Sequence, residues 1–354
     1  MDDFILNHMA DLLHRTPLER FPDDRPMVII SDFHAGDGGR RDDFKHNGQL
    51  TLAVLEEYYR RGCRLLLNGD VEELQKVRLE KIQRAWGDLY QLLERFDAEG
   101  RLIRLAGNHD LELLYNNPLP TPVREAVRYQ FSDSTTGQHL GQMFIFHGHQ
   151  ASRRYAMYND LIGWLLRHLV HRLPFHYTSV SHDNRKKKRM ESRVYEMAAR
   201  ERVVAVIGHT HRPLFESLSK SDFVKYNIER LCRQYTDAAA EEREAIRLEI
   251  GDLRAHLEAV SRSDMVDLGS IYHDSFVVPC MFNSGCVLGK RGITCLELTG
   301  SHIALKYWFD GSRSRKYLLY DGYDTVQLPG TGYYETEIKS EQLRYIFSRI
   351  DLLT

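Results

Sequence analysis

Five short apolar runs punctuate the chain, each closing on a polar cluster: Met27-Val-Ile-Ile30, Leu65-Leu-Leu67, Leu102-Ile-Arg-Leu105, Met143-Phe-Ile-Phe146 and Val203-Val-Ala-Val-Ile207. Runs this short, rich in β-branched and leucine residues, predict strands buried on both faces. Between the first three, Leu50 to Arg61 and Leu74 to Phe96 carry apolar residues at helical spacing. Strand alternating with helix predicts an α/β sheet, whose functional groups gather beyond the carboxyl ends of the strands. The polar clusters fall there.

The pattern changes after Gln150. Residues 151–199 are rich in Arg, His, Tyr and Lys, carry no strand pattern and are expected to form a helical cap insertion. Residues 216–274 hold two stripes, Val224, Ile228, Leu231, Tyr235 and Ile246, Ile250, Leu253, Leu257, Val260, which predict an antiparallel helical hairpin. Packing of that hairpin on itself or on the body is favoured over a homodimerisation arm, since about two heptads fall short of a free coiled coil. Residues 1–150, 200–215 and 275–354 then make the core. Within its last part Phe276-Val-Val278, Gly292 to Leu298 and His302 to Trp308 regain β character and are expected to finish a second sheet. The opening stretch MDDFILNHMADLLHR lacks the charge and apolar order of a signal peptide and predicts a surface helix.

Composition narrows the class without naming it. The 354 residues are 42% hydrophobic and 28% charged, with a formal net charge of −2. Such a chain is expected to be globular, with no strong overall pull toward DNA or membranes. Cys63, Cys232, Cys280, Cys286 and Cys295 are scattered and lack C-x-x-C spacing, which argues against a disulfide framework or a thiolate metal site. A reducing, cytoplasmic setting fits them. The most apolar window, Leu161 to Val170, is too short to span a bilayer. Leu161 to Leu166, Leu169, Val170, Leu173 and Phe175 nevertheless lie among Arg153, Arg154, Arg167, Arg172 and the run Arg185 to Arg189. Apolar and basic residues side by side suit an amphiphilic phosphate, and peripheral contact of the cap with the inner face of a membrane. A cap whose apolar face packs on the body is an equally good reading.

The clusters at the strand ends carry the chemistry. In order they are Asp32-Phe-His34, Gly69-Asp70-x-x-Glu73, Gly107-Asn108-His109-Asp110, His147-Gly-His149 and Gly208-His209-Thr-His211. Each alone is common. Together, two carboxylates, one amide and four imidazoles suit divalent Mn, Fe, Zn, Co or Ni. The glycines before Asp70, Asn108 and His209 permit tight turns and close backbone approach. His149 is expected at the surface or beside a ligand rather than as one. Arg40 or Arg41, in the loop after the first cluster, could reach a substrate phosphate, and so could Arg153 and Arg154.

In this order the five motifs resemble those of the calcineurin-like metallophosphoesterase superfamily. The resemblance covers Asp32 to His211 and neither insertion. It implies a four-layer α-β-β-α sandwich of two mixed sheets, and it implies roles. Asp32, His34 and His211 would hold one metal, Asn108, His147 and His209 a second, and Asp70 would bridge them. His109, oriented by Asp110, would contact the phosphate. Glu73 stands where many members have Asp. Two metals roughly 3.5–4 Å apart can clamp the attacking and leaving oxygens of an in-line displacement and activate a water, with manganese first among the candidates. His109 could protonate the leaving oxygen. The basic insertion, Gly208-His-Thr-His-Arg-Pro213 and Asn283-Ser-Gly285 look like the UDP-2,3-diacylglucosamine pyrophosphatase branch, although the chain length and second insertion depart from it. The expected activity is hydrolysis of a phosphoester or pyrophosphate bond in a lipid- or nucleotide-linked phosphate. A nuclease or cyclic-nucleotide phosphodiesterase is the alternative, weakened by the near-neutral charge. A non-enzymatic scaffold on the same fold would be expected to have lost ligands, and none is lost.

Overall fold

The computed structural model describes residues 2–133, 136–153, 155, 184–217, 228, 231–232, 235–236, 238, 240–265, 278–319 and 323–354. Among them thirteen strands form two sheets. In chain order they are β1 (Leu18–Arg20), β2 (Met27–Ile30), β3 (Arg64–Asn68), β4 (Leu102–Leu105), β5 (Val123–Arg124), β6 (Ala126–Ser132) and β7 (His139–Phe146). They continue with β8 (Val204–Ile207), β9 (Met281–Asn283), β10 (Ile293–Leu298), β11 (His302–Asp310), β12 (Thr325–Gln327) and β13 (Tyr333–Gln342). The eight-stranded sheet runs β12-β13-β11-β10-β2-β3-β4-β5, antiparallel as far as β2 and parallel from there to β5. The five-stranded sheet runs β1-β6-β7-β8-β9 and is antiparallel only between β6 and β7.

All five apolar runs are strands, and period-two alternation decides what each face meets. Met27, Ile29, Leu66 and Leu105 join the core shared with Phe144 and Val206 of the other sheet. Val28, Ile30, Leu65 and Leu67 face the opposite way, onto the helices Gly48–Arg60 and Gly87–Ala98. Beyond the five-stranded sheet lie three helices, Asp2–Arg15, Asn184–Arg200 and Leu343–Leu353. The result is a four-layer sandwich of two mixed sheets with helices outside. The first helix is more than a surface helix: Ile5, Leu6, Met9, Leu12 and Leu13 form a buried stripe at helical spacing. Asn184–Arg200 buries Met190, Val194, Met197 and Ala198 in the same way.

Several expectations need correction. β10 and β11 do not finish a second sheet. β10 pairs with β2, Leu296 opposite Ile29, and so lengthens the first. Of Phe276 to Val278 only Val278 is described, and it lies outside the strands. The helix expected from Leu74 to Phe96 is two helices, Leu79–Ala85 and Gly87–Ala98. Trp86 breaks it, its indole N–H reaching Asp42 Oδ2 at 3.0 Å. The middle of the first insertion, 156–183, lies outside the described residues, as do Val224, the side chains of Leu257 and Val260, and hence the pairing of the hairpin. Its second helix, Ala240–Met265, has Ile246, Ile250 and Leu253 half-buried along one stripe. Among the described residues no helix is long and apolar enough to cross a membrane.

Parallel pairing sets the carboxyl ends of β2, β3 and β4 level with one another, Ile30 opposite Leu67 and Asn68 opposite Leu105. The same holds for β7, β8 and β9 in the other sheet. The two sets of ends meet where the Asn68 side-chain amide donates to the Phe146 carbonyl, 3.2 Å away. Five polar loops therefore converge on one seam.

Candidate metal centre

The loops at this seam are tied together before any side chain is considered. The N–H groups of Phe33 and His34 both donate to the Asp70 carbonyl, at 2.8 and 2.9 Å, and the Gly208 N–H donates to the His147 carbonyl at 2.9 Å. Gly69 adopts φ 83°, a conformation that favours glycine. A side chain on Gly107 would strike the Asp70 carboxylate. Asp32, His34, Asp70, His209 and His211 also have φ between 48° and 62°. Non-glycine residues adopt this left-handed region rarely, and such strain clusters at functional sites.

Among the described residues three groups of three ligand atoms result, each within 4.8 Å of one another: Asp32, His34 and His211; His34, Glu73 and His109; and Asp70, His147 and His209. Asp32 Oδ1 lies 3.1 Å from His211 Nε2, and Asp70 Oδ2 lies 3.1 Å from His147 Nε2. Asp70 Oδ2 is also 3.6 Å from His34 Nε2, so it faces a histidine of each group. Asn108 adds a side-chain oxygen, Oδ1, that is buried without a hydrogen bond.

The hydrogen-bond ledger shows what is wanted here. Asp32 Oδ1, Asn108 Oδ1, His147 Nε2 and His209 Nε2 are all buried and have no hydrogen-bond partner. Such orphans are uncommon in folded proteins and call for an explanation. The His147 Nδ1–H donates to the Asn68 carbonyl at 2.7 Å, which leaves Nε2 a bare lone pair pointing at Asp70. A lone pair 3.1 Å from a carboxylate oxygen needs a cation beside it. The titration behaviour agrees. Burial would lower the His147 pKa, but Asp70, Asp32 and the Asn68 carbonyl hold it up at about 10, as if a proton stood in for that cation. Asp32 is lowered to about 2, against burial, by His211 and His147. His209 is lowered to about 3 by burial and by the charge on His147. The donor set, two carboxylates, an amide oxygen and four imidazoles, fits divalent metals.

Glu73 has a larger part than its place in the motif suggested. Its Oε1 accepts from His109 Nδ1 at 2.7 Å and its Oε2 from His34 Nδ1 at 3.3 Å. It fixes which nitrogen of each ring stays free. Asp110 does not orient His109, and this corrects the expected role. Its Oδ1 accepts the Gly107 N–H at 2.6 Å and its Oδ2 the Val71 N–H at 2.7 Å, so it fastens two loops. Burial, with the charges of Asp70 and Glu72, pushes the Asp110 carboxyl up to about 7. His109 is buried, and its N–H donates to Asp70 Oδ1 at 2.8 Å. Burial would lower its pKa, but Asp70 and Glu73 outweigh that and raise it.

Glu73→Gln should therefore lower turnover and move the alkaline limb of its pH profile to lower pH, because the neutral amide no longer favours His109 in its protonated form. A fall of about 10²-fold in kcat is expected, the lower end of general acid–base effects. An unmoved limb would remove Glu73 from this role.

The remaining residues divide. His149 is not at the surface: it is buried beside the ligands, its ring centroid 5.5 Å from that of His147, and neither nitrogen has a hydrogen bond among the described residues. Arg40, Arg41 and Arg153 are exposed, and Arg154 lies outside the described residues. Asn283 is a residue that motif reading left without a role. Its amide donates to the Gly208 carbonyl at 3.0 Å and to Thr210 Oγ1 at 2.9 Å, pinning the loop that carries His209 and His211. The only signal for it was the Asn283-Ser-Gly285 stretch.

No family model matches the chain, and no curated protein matches it. Among solved structures, vacuolar protein sorting 29 from Cryptosporidium parvum aligns over 80% of this chain and 91% of its own, at 13% identity and a TM-score of 0.32. At that score the likeness carries no argument. The assignment of the site rests on its own geometry.

Proposed function

We propose that this chain is a two-metal phosphoesterase that hydrolyses a phosphoester or pyrophosphate bond. The position of Asp70, buried between a histidine of each ligand group, carries the proposal. Asp32, His34 and His211 would hold one divalent ion, Asn108, His147 and His209 another, and Asp70 would touch both, with manganese the first metal to try. Ions bound there supply Lewis acidity toward the phosphate and lower the pKa of an attacking water.

The protein's own contribution is orientation and a proton. Glu73 takes the N–H at His109 Nδ1, which leaves Nε2 to meet substrate. The carboxylates of Asp70 and Glu73 favour the protonated form of His109 against its burial, so it can hold a phosphate oxygen or protonate the leaving oxygen. Asn68 fixes the His147 tautomer in the same manner, leaving Nε2 as the ligating atom.

Purified protein supplied with manganese should hydrolyse mono- or bis-aryl phosphates. His109→Ala should lower kcat by about 10²- to 10⁴-fold while bound manganese is unchanged. Absence of hydrolysis of both substrates by the parent protein would overturn the reading.

A further inference from the structure

Ser31 follows β2 and precedes Asp32, and Ser284 follows β9; both are fully buried. The two strands belong to different sheets, yet the serine hydroxyl oxygens lie 2.9 Å apart. Ser31 Oγ also donates to Asp32 Oδ2 and lies 3.3 Å from the Gly285 carbonyl oxygen. Its hydroxyl has one hydrogen for these neighbours. The Asp32 carboxylate and the Gly285 carbonyl can only accept, and the charged acceptor makes the stronger bond. The hydrogen of Ser31 therefore goes to Asp32. The bond between the serines must then run from Ser284 to Ser31. The other acceptor within reach of Ser284, the Ile207 carbonyl, is 3.5 Å away, too long to compete. Counting hydrogens gives the chain one direction, from Ser284 to Ser31 to Asp32.

The two oxygens of Asp32 are treated unequally. Oδ2 accepts twice, from Ser31 and from the His209 N–H at 3.0 Å. Oδ1 has no hydrogen bond and stands 3.1 Å from His211 Nε2. A carboxylate fixed by donors on one oxygen presents the other to an ion. Each hydroxyl of the chain polarises the next, more so in a buried setting than in water. A side chain on Gly208 would strike Ser31 Oγ and the Asp32 carboxylate, so the loop carrying His209 and His211 lies directly against this chain. Asp70 is held differently, its Oδ1 accepting the His109 N–H at 2.8 Å.

We infer that Ser31 and Ser284 are positioning residues for the ion of Asp32, His34 and His211, their hydroxyls acting in series to turn Asp32 Oδ1 toward it. The inference rests on the two-metal reading and deepens it. It makes the two ions unequal in what the protein spends on them: the serine chain serves one ion and leaves the other to Asn108, His147 and His209.

Calorimetric titration of the metal-free protein with manganese tests this. The parent should bind two equivalents. Ser31→Ala should weaken one of them by about 10- to 100-fold, the usual cost of removing a bond to a ligating group, and leave the other nearly unchanged. Ser284→Ala should weaken the same equivalent by less. Because Ser284 acts only through Ser31, the double variant should bind no more weakly than Ser31→Ala alone, whereas independent losses would add. Unchanged binding of both equivalents in Ser31→Ala, equal weakening of both, or additive losses in the double variant overturns the inference. If Ser31→Ala does not fold without metal, Ser284→Ala is read alone, and a loss confined to one equivalent is then the required result. A parent that binds fewer than two equivalents removes the two-metal reading and the inference with it, a failure seen before any serine is changed.

Discussion

Asp70→Asn is expected to reduce phosphoester turnover by about 10³-fold or more, comparable to losing a key electrostatic contact in other active sites. The substitution conserves shape and removes one charge from the position that faces both sets of proposed metal ligands. The asparagine oxygen can still accept the His109 N–H, now bonded to Asp70 Oδ1 at 2.8 Å, so the loop after β4 keeps its anchor. What is lost is the carboxylate oxygen that stands 3.1 Å from His147 Nε2 and 3.6 Å from His34 Nε2. Bound manganese, counted by elemental analysis, should fall with turnover, while circular dichroism should report an intact fold. A variant that keeps both its metal and its rate would show that Asp70 is not the bridge. A variant that keeps its metal but loses its rate would place Asp70 in orientation only.

The five apolar runs were legible because strands buried on both faces are mostly apolar, with Arg104 the exception, buried against Glu72. The strands that escaped notice are of another kind. β1, β5 and β12 are two or three residues long, and β1 is exposed throughout. β6 alternates buried and half-buried positions with Arg128 and Gln130 among them, so its apolar content is diluted. Assigning β10 to a sheet needed a long-range pairing, Leu296 with Ile29, which no local pattern encodes. At the site the ligand types and their order could be read in sequence, because each loop follows a strand end. The partners of those residues could not. Glu73 lies 36 positions before His109, and Glu191 reaches Thr210 from a different element. Asp110, adjacent to His109 in sequence, turns away to bond the backbone of Gly107 and Val71. Neighbours along the chain were a poor guide to which side chain orients which.

Chelation should destabilise the protein more severely as pH rises. Without metal, the proton on His147 supplies the positive charge between Asp70 and Asp32, which against burial and with the Asn68 carbonyl hold its pKa near 10, above an ordinary 6.5. A histidine whose folded pKa is raised adds stability that is complete below the unfolded value and disappears as pH climbs through the folded one. The loss therefore falls between pH 6.5 and 10. At roughly 1.4 kcal/mol per unit, it amounts to at most a few kcal/mol. Asp32, lowered to about 2 from 3.8, sets the acid side: its contribution is present above 3.8 and goes as pH falls through about 2. Divalent ions take over from the proton, so binding them should release protons across the same alkaline window. A ligand at one hundred times its Kd adds about 2.7 kcal/mol per site. Calorimetric melting at pH 6, 8 and 9.5, with manganese and after chelation, should show a melting-temperature gap that widens with pH. His147→Gln should flatten the chelated series. A chelated protein that melts at one temperature from pH 6 to 9.5 would mean that the buried lone pairs at this seam are not waiting for a cation.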